Sequence, residues 1–218
     1  MTISYDDEYF TKRIGNDPKR LKQFILDGVF IRKFIQSGKV CDVGCSTGEF
    51  LRTIGWEGER YGMEVNDFAI EQAGDFINFE KNITNQIDFF DLIIFRGTIQ
   101  HVNRPFEMLN EAYSALKPGG FLCFLATPNT SSPLYKAKRN LPFIEWDKVF
   151  FVPEEKTFLN ALENVGFDTI KVEFPYLGTP YAVPILDHLR FLANLFSRDF
   201  LPHAFWRSSM SIMVQKPK

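Results

Sequence analysis

Two carboxylates on either side of a glycine turn are the residues of this chain best suited to chemistry. Asp42 stands just before the turn Gly44-Cys45-Ser46-Thr47-Gly48, and Glu64 follows about 20 residues later. Glycines permit a tight turn and a close approach of the backbone to a ligand. The amides that open the next helix can hydrogen-bond an anionic group, and an acid at the later position can bind a ribose diol. The spacing therefore predicts a site for a nucleoside-containing ligand.

The segments around this turn alternate between short apolar runs and stretches in which apolar residues recur at helical spacing. The run Phe121–Ala126 is apolar throughout, as expected for a strand that is covered on both faces. Such alternation predicts an α/β fold with a doubly wound, mostly parallel sheet, which binds ligands at the carboxyl ends of its strands. Helices are predicted at residues 17–36, 49–54, 67–73, 105–116 and 154–165, and strands at residues 39–43, 61–65, 77–79, 89–95, 121–126, 167–174 and 209–215.

Length and composition exclude several classes of protein. The 218 residues suffice for one domain with a substantial core, and an apolar fraction of 45% excludes intrinsic disorder. A formal net charge of −2 offers nothing to attract phosphates, so no nucleic-acid partner is expected. The acidic N-terminus lacks the pattern of a secretory signal, and no apolar run approaches the length of a membrane span. These features predict a cytoplasmic protein without stable membrane insertion.

The three cysteines do not form a pattern with a function of its own. Cys41, Cys45 and Cys123 are too few and too irregularly spaced for a disulfide framework. Cys41 and Cys45 have no neighbouring histidine or further cysteine pair that could complete a zinc site. We therefore expect reduced thiols and no metal.

The residues of the turn separate two classes of cofactor. A nicotinamide site uses the spacing G-x-G-x-x-G, whereas the turn from Gly44 to Gly48 lacks a glycine at the third required position. Asp42 would repel a pyrophosphate, but it can accept a hydrogen bond from the amino group of an amino-acid cofactor. S-adenosylmethionine contains an amino acid, a ribose and an adenine, and it carries no phosphate. The charge pattern therefore favours S-adenosylmethionine, and a nicotinamide-dependent oxidoreductase is the disfavoured alternative.

Three segments, in this order along the chain, resemble motifs of one enzyme family. Val40–Leu51 (VCDVGCSTGEFL) is similar to the first motif of class I S-adenosylmethionine-dependent methyltransferases, in which glycine usually stands at the position of Ser46. Asp91–Val102 (DLIIFRGTIQHV) is similar to the fourth-strand motif, and Leu116–Leu122 (LKPGGFL) to the segment that leads into strand five. The resemblance covers residues 39–128. It implies a Rossmann-like doubly wound sheet of the seven-stranded methyltransferase type, mostly parallel with an antiparallel C-terminal strand.

The resemblance also implies roles for residues at matching positions. Residues of the first motif would surround the methionine end of the cofactor, and Glu64 would bind the ribose hydroxyls. Arg96, at the end of strand four, would lie near the methionine moiety, and Asn82 would contact the adenine amino group. Val65 and Ile83 would flank the adenine. The implied cofactor-binding residues are thus Asp42, Gly44, Cys45, Gly48, Glu64, Val65, Asn82, Ile83 and Arg96.

His101 follows strand four, close to the expected position of the transferable methyl group. An imidazole can take a proton from a hydroxyl as a general base, so His101 is the candidate catalytic residue. A structural role in packing the loop is the alternative, because methyl transfer needs only an in-line approach to an already activated sulfonium.

We expect one domain over residues 1–218, with residues 1–37 as an N-terminal helical lid and residues 38–127 as the cofactor-binding core. Residues 128–153 and 176–205 are expected to be insertions that form the acceptor pocket, because long insertions in compact domains are usually functional. Three aromatic side chains could stack there on a sugar face or a flat ring, or could pack as a separate hydrophobic cluster: Trp146, Phe150 and Phe151. Near the N-terminus, three more could fold over the cofactor or pack on the sheet edge: Tyr5, Tyr9 and Phe10.

Apolar residues recur at helical spacing between Ile185 and Phe196. We expect this stripe to pack on the core or on a second subunit, so a homodimer is a candidate assembly. Shallow docking on a membrane surface is a weaker alternative.

Together these patterns predict an enzyme that moves a methyl group from S-adenosylmethionine to an oxygen or nitrogen of a small-molecule acceptor. The arrangement around residues 127–129 and 174–180 looks like that of methyltransferases from bacterial surface-polysaccharide pathways. That resemblance implies a sugar hydroxyl as the acceptor, in polysaccharide or glycoconjugate biosynthesis. A quinone or another aromatic hydroxyl is the alternative acceptor, given the 24 phenylalanines. A non-catalytic, cofactor-binding interaction module is an alternative of a different class.

Overall fold

The computed structural model of the protein describes residues 17–218, so the predictions for Tyr5, Tyr9 and Phe10 lie outside the described residues. The described strands are β1 (Val40–Val43), β2 (Arg60–Met63), β3 (Asn78–Phe79), β4 (Phe90–Arg96), β5 (Leu116–Pro128), β6 (Asp168–Glu173) and β7 (Ser209–Gln215). They form one sheet with the order β3-β2-β1-β4-β5-β7-β6. The strand β7 runs antiparallel to both of its neighbours, and the other pairs are parallel. The predicted fold class is confirmed.

Each predicted helix is present, and two more lie in the predicted insertions. The helices are α1 (Pro18–Arg32), α2 (Glu49–Thr53), α3 (Asp67–Ala73), α4 (Pro105–Ala115), α5 (Pro133–Lys138), α6 (Glu155–Val165) and α7 (Pro184–Phe196), and short 3-10 turns lie at Gly74–Phe76, Ile99–His101 and Trp146–Lys148. Asp17 caps α1, since its side chain accepts a hydrogen bond of 2.9 Å from the amide of Lys19. The helix ends four residues earlier than predicted, and the chain then forms a bridge between Ser37 and Glu57.

The strand β5 begins earlier than its apolar run indicates. The predicted stop of the preceding helix is present, but Leu116 already pairs with Phe90 on β4. The register then shifts before Leu92 pairs with Phe121, and Gly119 provides the left-handed backbone (φ +80°) that this irregularity needs. The glycines therefore lie inside an irregular strand end, which apolar periodicity does not reveal.

The core consists of two apolar layers, one on each face of the sheet, because successive side chains of a strand point to opposite faces. On one face, Phe95 stacks on Phe124 at 5.4 Å, and the ring of Phe158 from α6 meets Phe124 edge-on at 5.0 Å. On the other face, Phe24 from α1 packs edge-on against Phe50 from α2 at 5.4 Å. Many of the phenylalanines therefore belong to the core.

The predicted insertions place α5 and α7 on the carboxyl side of the sheet, where β5 ends and β7 begins. The expectation that the apolar stripe of α7 packs on the core is wrong, because Ile185 and Phe196 are 82% and 88% exposed. Their helix instead directs polar residues inward, where Asp187 accepts hydrogen bonds from the hydroxyl of Tyr176 and the amide of Val183. Within residues 17–218, no helix combines the length and the apolar character that crossing a membrane requires.

Candidate functional site

The glycine turn connects β1 to α2 at the carboxyl edge of the sheet. Gly44 and Gly48 have φ values of +76° and +72°, the left-handed region that favours glycine. A Cβ atom on Gly44 would lie 2.5 Å from a methyl carbon of Thr98, which follows β4. The amides of Gly44 and Cys45 donate to the carbonyl of Met63 at the end of β2, at 2.8 and 3.1 Å. The turn is thus held tightly between the ends of two neighbouring strands.

Ser46 also has a left-handed backbone, with φ +51°. This is the position at which glycine usually stands in the resembling motif. In this conformation a residue with a Cβ atom carries about 1–2 kcal/mol of strain that glycine does not. Glycine loses more conformational entropy on folding, which offsets part of this difference.

We therefore expect Ser46→Gly to raise the free energy of unfolding by about 0.5–1 kcal/mol. Urea unfolding measures the change, and Ser46→Ala is the control because it keeps the Cβ atom. A Ser46→Gly variant that is no more stable than Ser46→Ala contradicts the strain argument.

Glu64 links β2 to the glycine turn. Its carboxylate accepts hydrogen bonds from the amides of Val65 at 2.7 Å, Asn66 at 3.1 Å and Ser46 at 3.0 Å. Val65 beside it is 75% exposed, so an apolar side chain is available to contact a flat ring. The structure brings Glu64 against the turn, as expected, while its contact with a ribose stays a prediction.

Asp42 is the buried acid of the site. Its side chain is 2% exposed, and in the described part of the chain its Oδ1 atom has no hydrogen-bond partner. Burial raises the pKa of Asp42 to about 7, an effect that the guanidinium of Arg96 opposes and the carboxylate of Glu64 reinforces. A buried acceptor without a donor is costly, so this atom fits the ammonium group of an amino-acid ligand.

Arg96 ends β4 and forms a buried ion pair that the sequence patterns did not reveal. Its Nε atom lies 2.8 Å from Oδ2 of Asp27 on α1, whose Oδ1 accepts a hydrogen bond of 2.8 Å from Gln23. The guanidinium also lies over the rings of Phe24 and Phe50, at 4.2 and 5.4 Å. Burial raises the pKa of Asp27, against the effect of the Arg96 charge. The sequence feature that could have indicated this ion pair is the acidic residue Asp27 within the apolar segment Phe24–Ile31.

The remaining residues assigned to the cofactor lie around β2 and β4. Ile83 is fully buried in the core, and Cys45 is nearly so. Asn82 is exposed and accepts hydrogen bonds from the amide and hydroxyl of Thr84. The adenine contacts of Asn82 and Ile83 stay predictions. Within residues 17–218, no group of three or more His, Cys, Asp or Glu side chains could hold a metal ion.

A cavity of about 720 Å³ opens beside Arg96 at the carboxyl ends of β4 and β5, a volume typical of small-molecule sites. Its wall includes Asp27 and Gln23 of α1 and residues from both predicted insertions. Four aromatic side chains contribute to it: Phe143, Tyr176, Tyr181 and Phe205.

These aromatic residues are not the ones that we predicted. Trp146 donates its indole N–H to Asn140, Phe150 is 37% exposed, and Phe151 packs towards Phe158 and the core. None of the three lines this cavity. Residues from both predicted insertions line the cavity, but which aromatic side chain faces it depends on the path of the loops. The contact of Trp146, Phe150 and Phe151 with a substrate stays a prediction.

His101 does line the cavity. Its Nδ1 atom lies 2.5 Å from the carbonyl oxygen of Lys148, which places the proton on Nδ1 and leaves Nε2 as the acceptor. Gln100 places its amide nitrogen 3.2 Å from Nε2 and donates to the carbonyl of Gly97 at 2.9 Å. The imidazole is therefore oriented by two neighbours, and the Gln100 amide faces the Nε2 lone pair that a general base would use.

Two buried polar atoms of the cavity residues have no hydrogen-bond partner in the described part of the chain. They are Oε1 of Gln100 and Oγ of Ser208, whose residues are 5% and 7% exposed. Because unsatisfied buried polar atoms are costly, this wall fits a ligand that carries hydroxyl groups.

Comparisons with known proteins show which proteins this chain is similar to. A family model described as a methyltransferase domain matches residues 13–172. A malonyl-[acyl-carrier protein] O-methyltransferase of Calditerrivibrio nitroreducens is 32% identical over 89 residues, covering 39% of this chain and 36% of that protein. A tRNA U34 carboxymethyltransferase of Pseudoalteromonas translucida is 22% identical over 153 residues, covering 62% of this chain and 46% of that protein. The chain thus spans less than half of the length of either relative.

Solved structures share the fold. A SAM-dependent methyltransferase from Archaeoglobus fulgidus has a TM-score of 0.64 and 19% identity, over 97% of this chain and 100% of that chain. A methyltransferase solved in complex with the Haloferax volcanii Trm112 methyltransferase activator has a TM-score of 0.68 and 14% identity, over 99% of this chain and 100% of that chain. Identities this low establish the architecture alone.

Proposed function

This chain belongs to the methyltransferase domain family, and we propose that it uses S-adenosylmethionine as its cofactor and methylates a hydroxyl group of a sugar. The observation that carries the choice of acceptor is the wall of the cavity. Aromatic faces from Phe143, Tyr181 and Phe205 lie together with Oε1 of Gln100 and Oγ of Ser208, two buried atoms without a hydrogen-bond partner among the described residues. A sugar ring offers apolar faces to the aromatics and hydroxyl groups to Gln100 and Ser208.

The alternative acceptor, a quinone or another flat aromatic ring, fits the same aromatic side chains but brings few hydroxyl groups. Its binding would leave Oε1 of Gln100 or Oγ of Ser208 without a partner, at a cost of about 1–3 kcal/mol for each buried group. Sites built for hydroxyl groups reject analogues that lack them for this reason. This difference favours a polyhydroxylated acceptor.

On the cofactor side, the proposal assigns Asp42 to the ammonium group and Glu64 to the ribose hydroxyls. Bound there, the cofactor supplies a methyl group on a sulfonium, which is already activated for transfer. Arg96, fixed by Asp27, lines the acceptor cavity at the end of β4, beside this part of the site. The chain therefore contributes orientation above all, and orientation alone can account for several kcal/mol of a reaction barrier.

On the acceptor side, the proposal assigns proton transfer to His101. Its Nε2 atom would exchange its contact with the Gln100 amide for the hydroxyl proton. The hydroxyl oxygen would gain the methyl group as the S–CH3 bond breaks, which leaves S-adenosylhomocysteine. The hydrogen bond from Nδ1 to the carbonyl of Lys148 places the proton of the neutral imidazole on Nδ1, so that Nε2 carries the lone pair.

Calorimetric titration with S-adenosylmethionine, S-adenosylhomocysteine and NAD is the first test of the proposal. We expect one-site binding of the two sulfur compounds and none of NAD. Formation of S-adenosylhomocysteine is then followed with nucleotide sugars and, in parallel, with hydroquinones. Turnover with hydroquinones alone overturns the sugar assignment. Cofactor binding without turnover on either class favours the non-catalytic interaction module.

The pKa of Asp42 predicts how cofactor affinity depends on pH. A carboxyl with a folded pKa of about 7 is mostly neutral below that pH and charged above it, and only the charged form attracts an ammonium group. We therefore expect the affinity for S-adenosylhomocysteine to rise between about pH 6 and about pH 8, with release of protons on binding. Titrations in buffers of different ionisation enthalpy measure that release.

A matched ligand isolates the contribution of Asp42 to this pH dependence. 5′-Methylthioadenosine carries the adenosine part but no amino acid, so its affinity should change little over the same range. Parallel pH dependence for both ligands contradicts the assignment of Asp42 to the ammonium group.

A further inference from the structure

In the helix α7, polar side chains point into the protein and apolar side chains point outward. This is the reverse of the usual arrangement in a helix at a protein surface. Its inward residues include Asp187 and Asn194, both 1% exposed. Asn194 exchanges two hydrogen bonds of 3.0 Å with the backbone of Leu201, and Asp187 accepts from Tyr176 at 3.1 Å and Val183 at 2.7 Å. The inward orientation is thus fixed by specific partners, so the helix cannot rotate to bury its apolar side.

The outward face of α7 is apolar except for His188, an exposed residue that lies between Leu192 and Leu195 on the helical projection. Successive residues of a helix are about 100° apart, and on that projection the exposed side chains cover about half of the circumference. Each of these six side chains is at least 40% exposed: Ile185 82%, Leu186 40%, Leu189 58%, Leu192 52%, Leu195 49% and Phe196 88%. Contiguous apolar surface of this kind marks an interaction site.

Basic side chains surround the C-terminal end of this face. The ammonium group of Lys138, on α5, donates to the carbonyl of Ser197 at 2.7 Å, so α5 lies beside the end of α7. Lys136 and Arg139 on that side, and Arg198 after α7, are exposed. Residues 133–139 and 184–199 together carry five basic and two acidic side chains, in a chain with a formal net charge of −2. The apolar face and this local positive charge occur together.

We propose that the outward face of α7 docks on an anionic lipid bilayer, with the apolar side chains in the acyl boundary and Lys136, Arg139 and Arg198 among the headgroups. Amphipathic helices that lie in the plane of a membrane surface combine these two features. The proposal concerns peripheral binding and does not depend on which acceptor is methylated.

A second copy of this chain suits the face less well. Two helices that pack together use a narrow seam of side chains, whereas this face covers about half of the circumference of α7. A helix of 13 residues is about 20 Å long, so a contact through it alone buries far less than the roughly 800 Å² per partner of a stable interface. The acyl region of a lipid bilayer, in contrast, can cover the whole outward face of α7.

Docking in this way has a consequence for the acceptor cavity. The inward side of α7 carries Phe191, which stacks on Phe205 at 4.4 Å, and Phe205 lines the cavity. The hydroxyl of Tyr176, another lining residue, donates to Asp187 of the same helix. The membrane-facing helix is thus the outer layer of the cavity wall, which places the cavity next to the bilayer surface.

Co-sedimentation of the full chain with lipid vesicles tests the proposal. We expect binding to vesicles of phosphatidylcholine and phosphatidylglycerol in equal parts, weaker binding at high salt, and little binding to phosphatidylcholine alone. The variant Ile185→Ser/Phe196→Ser should lower the bound-to-free ratio about tenfold, because two apolar side chains no longer insert. The matched control Ile87→Ser/Phe106→Ser removes the same residue types from exposed positions elsewhere (76% and 61% exposed) and should bind as the wild type does.

A second variant tests the role of the basic side chains, and a second measurement tests whether ligand binding at the cofactor site is unaffected. Lys136→Glu/Arg139→Glu leaves the apolar face intact and should abolish the preference for phosphatidylglycerol. Calorimetry with S-adenosylhomocysteine should be unchanged in each variant, which separates this proposal from the proposed function. Absence of wild-type binding to the anionic vesicles overturns the proposal, as does an equal loss in the control variant. Light scattering that shows a dimer broken by Ile185→Ser/Phe196→Ser assigns the face to a second copy instead.

Discussion

Replacing Asp42 with asparagine is expected to lower the affinity for S-adenosylhomocysteine about a hundredfold or more, because the amide carries no charge to hold the ammonium group. Oδ1 of Asp42 is buried and has no partner in the described part of the chain, so no other donor there competes with the ligand. Calorimetry measures the loss. 5′-Methylthioadenosine, which lacks the amino acid, should bind the variant nearly as well as it binds the wild type.

The same substitution should make the fold more stable, which distinguishes a lost contact from a damaged protein. The pKa of Asp42 is raised to about 7 in the folded state, above the value of about 3.9 for an unfolded chain. The cost of burying this carboxyl is therefore absent below about pH 4, grows between about pH 4 and about pH 7, and stays constant above. Asparagine removes that cost.

We expect Asp42→Asn to raise the free energy of unfolding by roughly 2–4 kcal/mol at pH 8, and by less at pH 5. Urea unfolding at the two pH values measures the change. A variant that is less stable than the wild type at pH 8, or that loses both ligands to the same degree, contradicts the assigned role of Asp42.

Replacing His101 with asparagine is expected to lower kcat by about a hundredfold to ten-thousandfold if the imidazole takes the hydroxyl proton. The amide nitrogen of asparagine can still donate to the carbonyl of Lys148, so the loop should keep its packing. Affinity for S-adenosylhomocysteine and the unfolding free energy should therefore stay close to those of the wild type. Steady-state assays with the sugar acceptor measure kcat and KM separately.

The pH dependence of the rate separates a base from a packing residue. With the cofactor saturating at each pH, so that Asp42 does not contribute, a general base gives the wild type a limb of falling kcat/KM for the acceptor at acid pH. This limb should be missing in His101→Asn. If His101 only packs the loop, the substitution lowers stability and leaves kcat within a few-fold of the wild type. In that case the acceptor hydroxyl reacts without a dedicated base, and orientation of the two substrates carries the catalysis.

The cofactor side of the site follows from local sequence. Asp42 and the glycine turn lie within one strand and the turn that follows it, and Glu64 directly follows the next strand. Apolar periodicity places strands and helices, and the order of a doubly wound sheet then brings the carboxyl ends of β1 and β2 together. Short-range patterns were therefore sufficient to predict that Glu64 would lie against the turn, as its hydrogen bond with Ser46 shows.

The acceptor side depends on contacts between distant parts of the chain. Asp27 and Arg96 are 69 residues apart, and neither the helical spacing around one nor the strand pattern around the other indicates that they pair. Likewise, the predicted aromatics Trp146, Phe150 and Phe151 belong to the right segment but do not line the cavity. A loop without regular periodicity does not reveal which of its side chains point inward.

The sequence by itself determined the sheet, the family motifs and the cofactor, since these depend on hydrophobic periodicity and on residues that are close together in the chain. It also determined that residues 185–196 form an amphipathic helix, because spacing is a local property. Only the tertiary structure decided which face of α7 points outward, through the hydrogen bonds that hold Asp187 and Asn194 inside. Burying a carboxylate and an amide is costly unless both have hydrogen-bond partners, and Tyr176, Val183 and Leu201 supply them. These partners lie outside the helix, so the spacing of its own residues does not reveal which face points inward.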